Sequence, residues 1–185
     1  MKTKMLLALF GFLFIAAEPV QTDEWKKDLE KILFEFMSCG GPTAPNTPCN
    51  EFLGKALKRV YGIKDFDKPG GRYMVANEMA TYVAVNTDQW TLLGKGSEQS
   101  ALNSAQGYAN VKKAVIAVYS NPGGPGHVVL ILPGTLTASG SWGLLCPNSA
   151  SFFINKPDKA YIGKSINYAF DPGIKDKVLL YGRNF

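Results

Sequence analysis

Histidine is scarce in this chain, whose 185 residues include a single one, His127. Most zinc hydrolases use two or three histidines as ligands, and no His-Glu-x-x-His motif occurs, so the sequence argues against that class of enzyme. It also has no cluster of lysine and arginine interleaved with aromatic residues, which leaves a nucleic-acid partner unsupported. We therefore expect neither a metal site nor nucleic-acid binding.

The apolar run at the N terminus is too short to span a bilayer. It covers the thirteen residues 5–17, whereas a membrane-spanning helix needs about 20. Lys2 and Lys4 precede it, and Ala16 and Ala17 end it, which is typical of a secretory signal peptide. We predict a signal peptide at 1–22 and one exported domain at 23–185, secreted or periplasmic; a retained anchor is the alternative.

The chain has the composition of an ordinary globular protein. Hydrophobic residues make up 46% of the chain and charged residues 19%, so it can bury a core of its own. The formal net charge is +5. A modest basic excess on an exported protein fits contact with anionic polymers or membrane surfaces.

Cysteine is present in an odd number, as Cys39, Cys49 and Cys146. In an oxidising compartment an odd count leaves at least one thiol unpaired within the chain. That thiol is incidental, intermolecular or functional.

Hydrophobic periodicity divides the domain into helices followed by strands. Thr47 and Pro48 are typical of a helix start and Gly62 of a helix end. We predict helices at 23–37, 48–61, 75–85 and 97–109, and strands at 111–119, 127–132, 142–146 and, later, near 151–154, 166–170 and 177–181. This order predicts an α+β fold in which helices pack on one face of an antiparallel sheet.

Cys49 falls in the first turn of the second predicted helix. Unpaired backbone N–H groups and the helix dipole there favour the thiolate, which is the reactive form of cysteine. The N–H of Cys49 itself could stabilise a developing oxyanion. The alternative is a buried structural cysteine or half of a disulfide.

His127 opens a predicted strand directly after the turn Gly124-Pro125-Gly126. An imidazole at a strand end can reach into a cleft, accept a thiol proton and later protonate a leaving amine. The alternative is a histidine that only packs in the turn or the core.

A reactive cysteine at a helix start followed by a Gly-His strand resembles the papain-like cell-wall hydrolases, the group that includes NlpC-type peptidases and CHAP amidases. Shorter stretches resemble phage- and toxin-associated members of that group. The matching stretches are Thr47–Phe52, Gly126–Ile131, Val75–Met79, Trp90–Gly94, and Ala105–Asn110 leading into Val115–Ala117.

The resemblance implies a papain-like core and cleavage of an amide bond in bacterial peptidoglycan. The bond is either the sugar–peptide link cut by an amidase or one within the stem peptide cut by an endopeptidase. Cys49 would attack the carbonyl, a thioester would form, and His127 would move the protons without any metal or organic cofactor. We expect a monomer, and an immunity protein as partner if the protein is a toxin.

The resemblance also suggests further site residues. Enzymes of this group orient the histidine with a polar residue on the next strand, for which Asn148 is the best candidate and Ser139 and Ser141 are rivals. The alternative is that Asn148 only caps the turn after Pro147. Asn77 and Glu78 are expected in the substrate groove, unless they are only surface residues of their helix. Trp90, like Tyr73 and Tyr108, could stack on sugar rings, although such aromatics are more often core residues.

Two alternatives stay open. Cys39 and Cys146 either pair as a disulfide, leaving Cys49 free, or are both buried thiols. The chain is either a hydrolase or a non-catalytic exported module, such as a wall-binding protein or an inhibitor on a degenerate hydrolase scaffold. A third hypothesis is that the chain is a cysteine protease that acts on proteins.

Overall fold

The computed structural model describes residues 24–37, 51–154 and 156–184. The predicted signal peptide, Cys39 and Cys49 lie outside these residues, so the structure does not bear on them. Within the described ranges, no helix combines the length and apolar character that crossing a membrane requires.

The helices follow the predicted periodicity closely. They are α1 (Glu24–Met37), α2 (Phe52–Tyr61), α3 (Ala76–Val85) and α4 (Gln99–Asn110). Helix α2 ends at Gly62, whose φ of 69° is left-handed and whose N–H closes the helix on the carbonyls of Leu57 and Lys58. Helix α3 begins where the Glu78 carboxylate accepts the N–H of Val75 at 2.9 Å.

Strands of the described chain form one six-stranded sheet and two small hairpins. In chain order they are β1 (Asp67–Lys68), β2 (Arg72–Tyr73), β3 (Trp90–Lys95), β4 (Val115–Tyr119), β5 (His127–Ile131), β6 (Thr137–Ser139), β7 (Leu144–Cys146), β8 (Asn148–Ser151), β9 (Tyr161–Ser165) and β10 (Leu179–Arg183). The main sheet has the order β3-β10-β4-β5-β8-β9, with every pair antiparallel. The predicted α+β class with an antiparallel sheet is confirmed.

The sheet is covered on both faces, so the prediction that helices occupy one face is wrong for α4. Alternate residues such as Ile116 and Leu130 pack with α1, α2 and α3. Val115 and Val129 point the other way and pack with α4, whose alanines Ala101, Ala105 and Ala109 are buried there. The physical reason is that β4 and β5 are apolar on both faces, and a strand of that kind needs cover on both sides.

Several of the strand predictions also need correction. The strand predicted at 142–146 shortens to β7 and pairs with β6 in a separate hairpin, and β8 takes the place beside β5. The strand predicted at 166–170 is replaced by a 3-10 turn at Ile166–Tyr168. Strands β3 and β9, at the two edges of the main sheet, and the short strands β1, β2 and β6 were not predicted. The strand predicted near 151–154 lies earlier in the chain, as β8.

Candidate functional site

His127 occupies the first position of β5, opposite Tyr119 of β4. Its ring is stacked on Phe153, with centroids 4.5 Å apart and planes at 16°, and it meets Phe170 edge-on at 5.3 Å. Nε2 lies 2.8 Å from the Oγ of Ser151 on β8. The imidazole is therefore held in one orientation by two aromatic rings and one hydroxyl.

Burial among these rings lowers the pKa of His127 to about 4. At neutral pH the ring is uncharged, with one nitrogen as donor and the other as acceptor. A serine hydroxyl can satisfy Nε2 in either tautomer. Nδ1 is then the ring nitrogen that remains for a second group.

The turn before His127 is fixed by the side chain of Asn77 at the start of α3. Nδ2 of Asn77 donates to the carbonyls of Asn121 and Gly124 at 3.0 Å each, and Oδ1 accepts the N–H of Asn121 at 3.0 Å. Asn77 was predicted as a groove residue, and it does line a cleft beside His127. Its amide, however, is occupied in holding the turn.

Gly126 lets this turn and α3 approach closely. A Cβ at this position would lie 2.3 Å from Oδ1 of Asn77 and 2.6 Å from the carbonyl oxygen of Tyr119. Any larger residue must therefore displace the turn that leads into His127.

Two clefts meet at Pro125, Gly126, His127 and Ile154. The first, which we name the α2 cleft, has a volume of about 270 Å³ and is also lined by Phe52 and Leu53 at the start of α2 and by 75–77 at the start of α3. The second, which we name the lysine cleft, has a volume of about 570 Å³. Its further lining includes Tyr119, Phe153, Lys156, Lys159, Tyr168 and Asp171.

The start of α2 is anchored by an ion pair whose carboxylate is buried and whose guanidinium is half-exposed. The side chain of Glu51, the residue before the helix, is 2% exposed, and its Oε1 accepts from Nε and Nη2 of Arg72 at 2.9 Å each. Gly54 in the first turn lies so close to Tyr73 that a Cβ would be 2.7 Å from the tyrosine Cβ. The hairpin β1–β2 thus fixes the first described residues after Cys49.

Glu78 is not brought to His127. Its carboxylate accepts from Nζ of Lys68 at 2.7 Å and caps α3, and the lysine hydrogen bond holds its pKa below the ordinary range. It lines a separate surface depression with Met74 and Val85. The structure gives Glu78 a helix-capping role, and the groove prediction needs correction.

Trp90 is a core residue, so the prediction that it stacks on a sugar ring is wrong. Its side chain is 0% exposed, lies 5.4 Å from the ring of Phe66, and its Nε1 donates to Asp65 at 3.0 Å. A fully covered indole has no face left for a ligand.

Asn148 does not contact the imidazole, which corrects its assignment as the orienting residue. Its Nδ2 donates to the carbonyl of Pro133 at 2.8 Å. The register pairs Leu130 with Ala150, so Asn148 lies at the far end of β8 from His127. Ser151 occupies the position at the imidazole, and only knowledge of this register could have singled it out.

The rival serines and Cys146 lie elsewhere. Ser139 Oγ is 3.3 Å from Ser141 Oγ and accepts the N–H of Trp142, which places both serines in the β6–β7 hairpin. Cys146 is a buried thiol whose pKa is raised by burial. Its predicted partner Cys39 lies outside the described residues, so the Cys39–Cys146 disulfide stays a prediction.

No protein-family model matches the chain, and a search of curated proteins finds no match to it.

Proposed function

We propose that the chain is an exported cysteine hydrolase with a papain-like core, which cleaves an amide bond in peptidoglycan through Cys49 and His127. One observation carries the proposal: His127 lines the same cleft as Phe52 and Leu53, and Phe52 follows Cys49 by three residues. Because a chain advances at most about 3.6 Å per residue, the Cα atoms of Cys49 and Phe52 are within about 11 Å of each other.

At neutral pH His127 is uncharged and can accept a proton, and a Cys49 thiolate beside it would raise its pKa from the value of about 4 that burial alone gives. A neutral imidazole whose Nε2–H donates to Ser151 carries its lone pair on Nδ1. Nδ1 takes the thiol proton, and the thiolate sulfur of Cys49 bonds to the amide carbon. The imidazolium then protonates the departing amine as the C–N bond breaks, leaving a thioester that water hydrolyses with His127 again as base.

Peptidoglycan is the proposed substrate because of the resemblance to cell-wall hydrolases and the predicted signal peptide. The net charge of +5 fits an anionic polymer as well. We propose an amidase or a stem-peptide endopeptidase that acts as a monomer outside the cytoplasm, with an immunity protein as partner if it is a toxin.

The test is digestion of purified peptidoglycan followed by mass spectrometry of the soluble muropeptides. Cys49→Ala is expected to abolish product release. Cys146→Ala is the matched control, since Cys146 is buried on the α4 face of the sheet, and is expected to retain turnover. Full activity in Cys49→Ala would overturn the assignment, and the masses of the products identify the bond.

The same proteins separate the hydrolase from a non-catalytic wall-binding or inhibitor module. A nucleophilic Cys49 is expected to react with iodoacetamide in the native state much faster than Cys146. An alkylation-resistant Cys49 together with undigested peptidoglycan would favour the binding module. Cleavage of casein in place of peptidoglycan would indicate a protease that acts on proteins.

A further inference from the structure

We propose that the lysine cleft binds the carboxylate-bearing segment of a peptide substrate and holds its neighbouring amide at His127. This inference rests on the proposed function, since it names the substrate chemistry of the same site. The two clefts share His127, so a ligand seated in the lysine cleft reaches the imidazole without crossing the protein surface.

Two lysines line this cleft from one short segment, Lys156 and Lys159. Lys159 lies on the 3-10 turn Pro157–Lys159, and its N–H donates to the carbonyl of Lys156 at 2.9 Å. In such a turn, residues three apart lie nearly above one another, and both side chains line the cleft. Within the described part of the chain neither lysine has a salt bridge, so a ligand anion has no internal carboxylate to displace.

The described lining of the lysine cleft has fewer acidic residues than lysines. Asp171 is the single acidic residue among its described lining, and its Oδ1 already accepts the N–H of Gly173 at 2.8 Å. Outside the lining, Nζ of Lys164 lies 5.5 Å from the ring centroid of Tyr168, a lining residue. The balance of charge at this wall therefore favours an anion.

The rest of the lining suits the uncharged part of a peptide. Phe153 continues the wall from its stacking contact with His127, and Tyr168, which is 63% exposed, presents a large apolar face with a polar end. A volume of about 570 Å³ lies in the range of small-ligand pockets. A short peptide with free carboxylates fits both the charge and the surface, and stem peptides of peptidoglycan have this chemistry.

The test measures binding in the absence of turnover, using the full mature chain with Cys49→Ala. The probes are a synthetic alanyl-γ-glutamyl-diaminopimelyl-alanine peptide with free carboxylates and the same peptide with its carboxylates amidated, titrated by calorimetry at low salt. The free-carboxylate peptide is expected to bind about tenfold more tightly than the amidated one, since two lysines each contribute a modest ion pair.

Lys156→Ala/Lys159→Ala, added to that protein, is expected to remove the tenfold preference. The matched control is Lys26→Ala/Lys27→Ala, which removes the same charge from exposed positions on α1 and is expected to keep it. Equal affinity for the two peptides, no binding of either, or a preference that survives the loss of both cleft lysines overturns the inference.

The two proposals fail in different ways. Carboxylate-dependent binding by a protein whose wild type releases no muropeptides supports the lysine cleft and overturns the hydrolase. Cleavage of peptidoglycan that is indifferent to Lys156 and Lys159, together with no carboxylate preference in binding, supports the hydrolase and overturns the lysine cleft.

Discussion

Ser151 is the polar side chain that contacts the imidazole, and its hydroxyl is buried on β8. Ser151→Ala removes this partner without adding volume, so His127 is expected to keep its place between the rings but lose the hydrogen bond at Nε2. One such hydrogen bond contributes about 1 kcal/mol, which corresponds to a fall in kcat of about fivefold with KM nearly unchanged. Steady-state kinetics on a soluble muropeptide measures both.

The matched control is Ser149→Ala, on the same strand and equally buried. Its Oγ pairs with Tyr161 and the carbonyl of Lys164, away from His127. This variant is expected to lose stability while kcat is retained. An equal fall of kcat in both variants would show that the strand, and not the hydroxyl of Ser151, matters.

The position of the turn at 121–126 depends on the close packing of Gly126 against Asn77 and Tyr119. Gly126→Ala places a methyl group against Asn77 Oδ1 and the Tyr119 carbonyl, so the turn must move and His127 with it. We expect activity to fall at least tenfold, since misplacement of a catalytic group by about 1 Å has effects of this order or larger. Gly123→Ala is the control, because the Cβ that it adds would lie 3.9 Å from its nearest neighbour, Oδ1 of Asn121.

The packing of the hairpin β1–β2 against the start of α2 depends on the Glu51–Arg72 ion pair. Arg72→Gln leaves the buried Glu51 carboxylate without its cation, and because the Arg72 side chain is itself 51% exposed, we expect a loss of about 2 kcal/mol. Urea unfolding is expected to show this loss. Arg59→Gln removes an exposed pair with Asp28 and is expected to cost less than about 1 kcal/mol; equal losses would show that Glu51 does not need Arg72.

Elements with a clear period were predictable from the sequence, and contacts between distant elements were not. Helix α1 was predicted within one residue, because its buried stripe of Leu29, Ile32 and Phe36 follows the helical repeat. Asn77 reaches carbonyls 44 and 47 residues away, a distance over which sequence pattern carries no information. Its role as a clamp on the turn could be seen only in the folded chain.

The register of β8 beside His127 likewise could not be predicted from the sequence. The sequence placed a polar residue of the next strand beside His127, which is the role that the structure gives to Ser151. The β6–β7 hairpin lies between β5 and β8 in the chain, and its length sets which residue comes opposite the imidazole. Since a shift of register changes every pairing along a strand, Asn148 was assigned in place of Ser151.

At the scale of the whole molecule, His127 alone sets the histidine contribution to the pH dependence of the free energy of unfolding, because the chain has one histidine. The folded pKa of His127 is about 4 and the ordinary value is 6.5, so the unfolded chain binds a proton more readily between these pH values. Stability from this group is complete above pH 6.5 and is lost as the pH falls towards 4. The total loss is about 3 kcal/mol for a shift of this size.

His127→Asn should remove this part of the pH dependence, because the chain has no second histidine to replace it. Carboxylates that titrate in the same window act equally in both proteins, so they cancel when the two curves are subtracted. Free energies of unfolding in urea, measured from pH 4 to pH 8, give the difference directly. A difference that stays flat across this range would mean that the folded protein leaves the imidazole as easily protonated as the unfolded chain does, and His127 would then be cationic in weak acid.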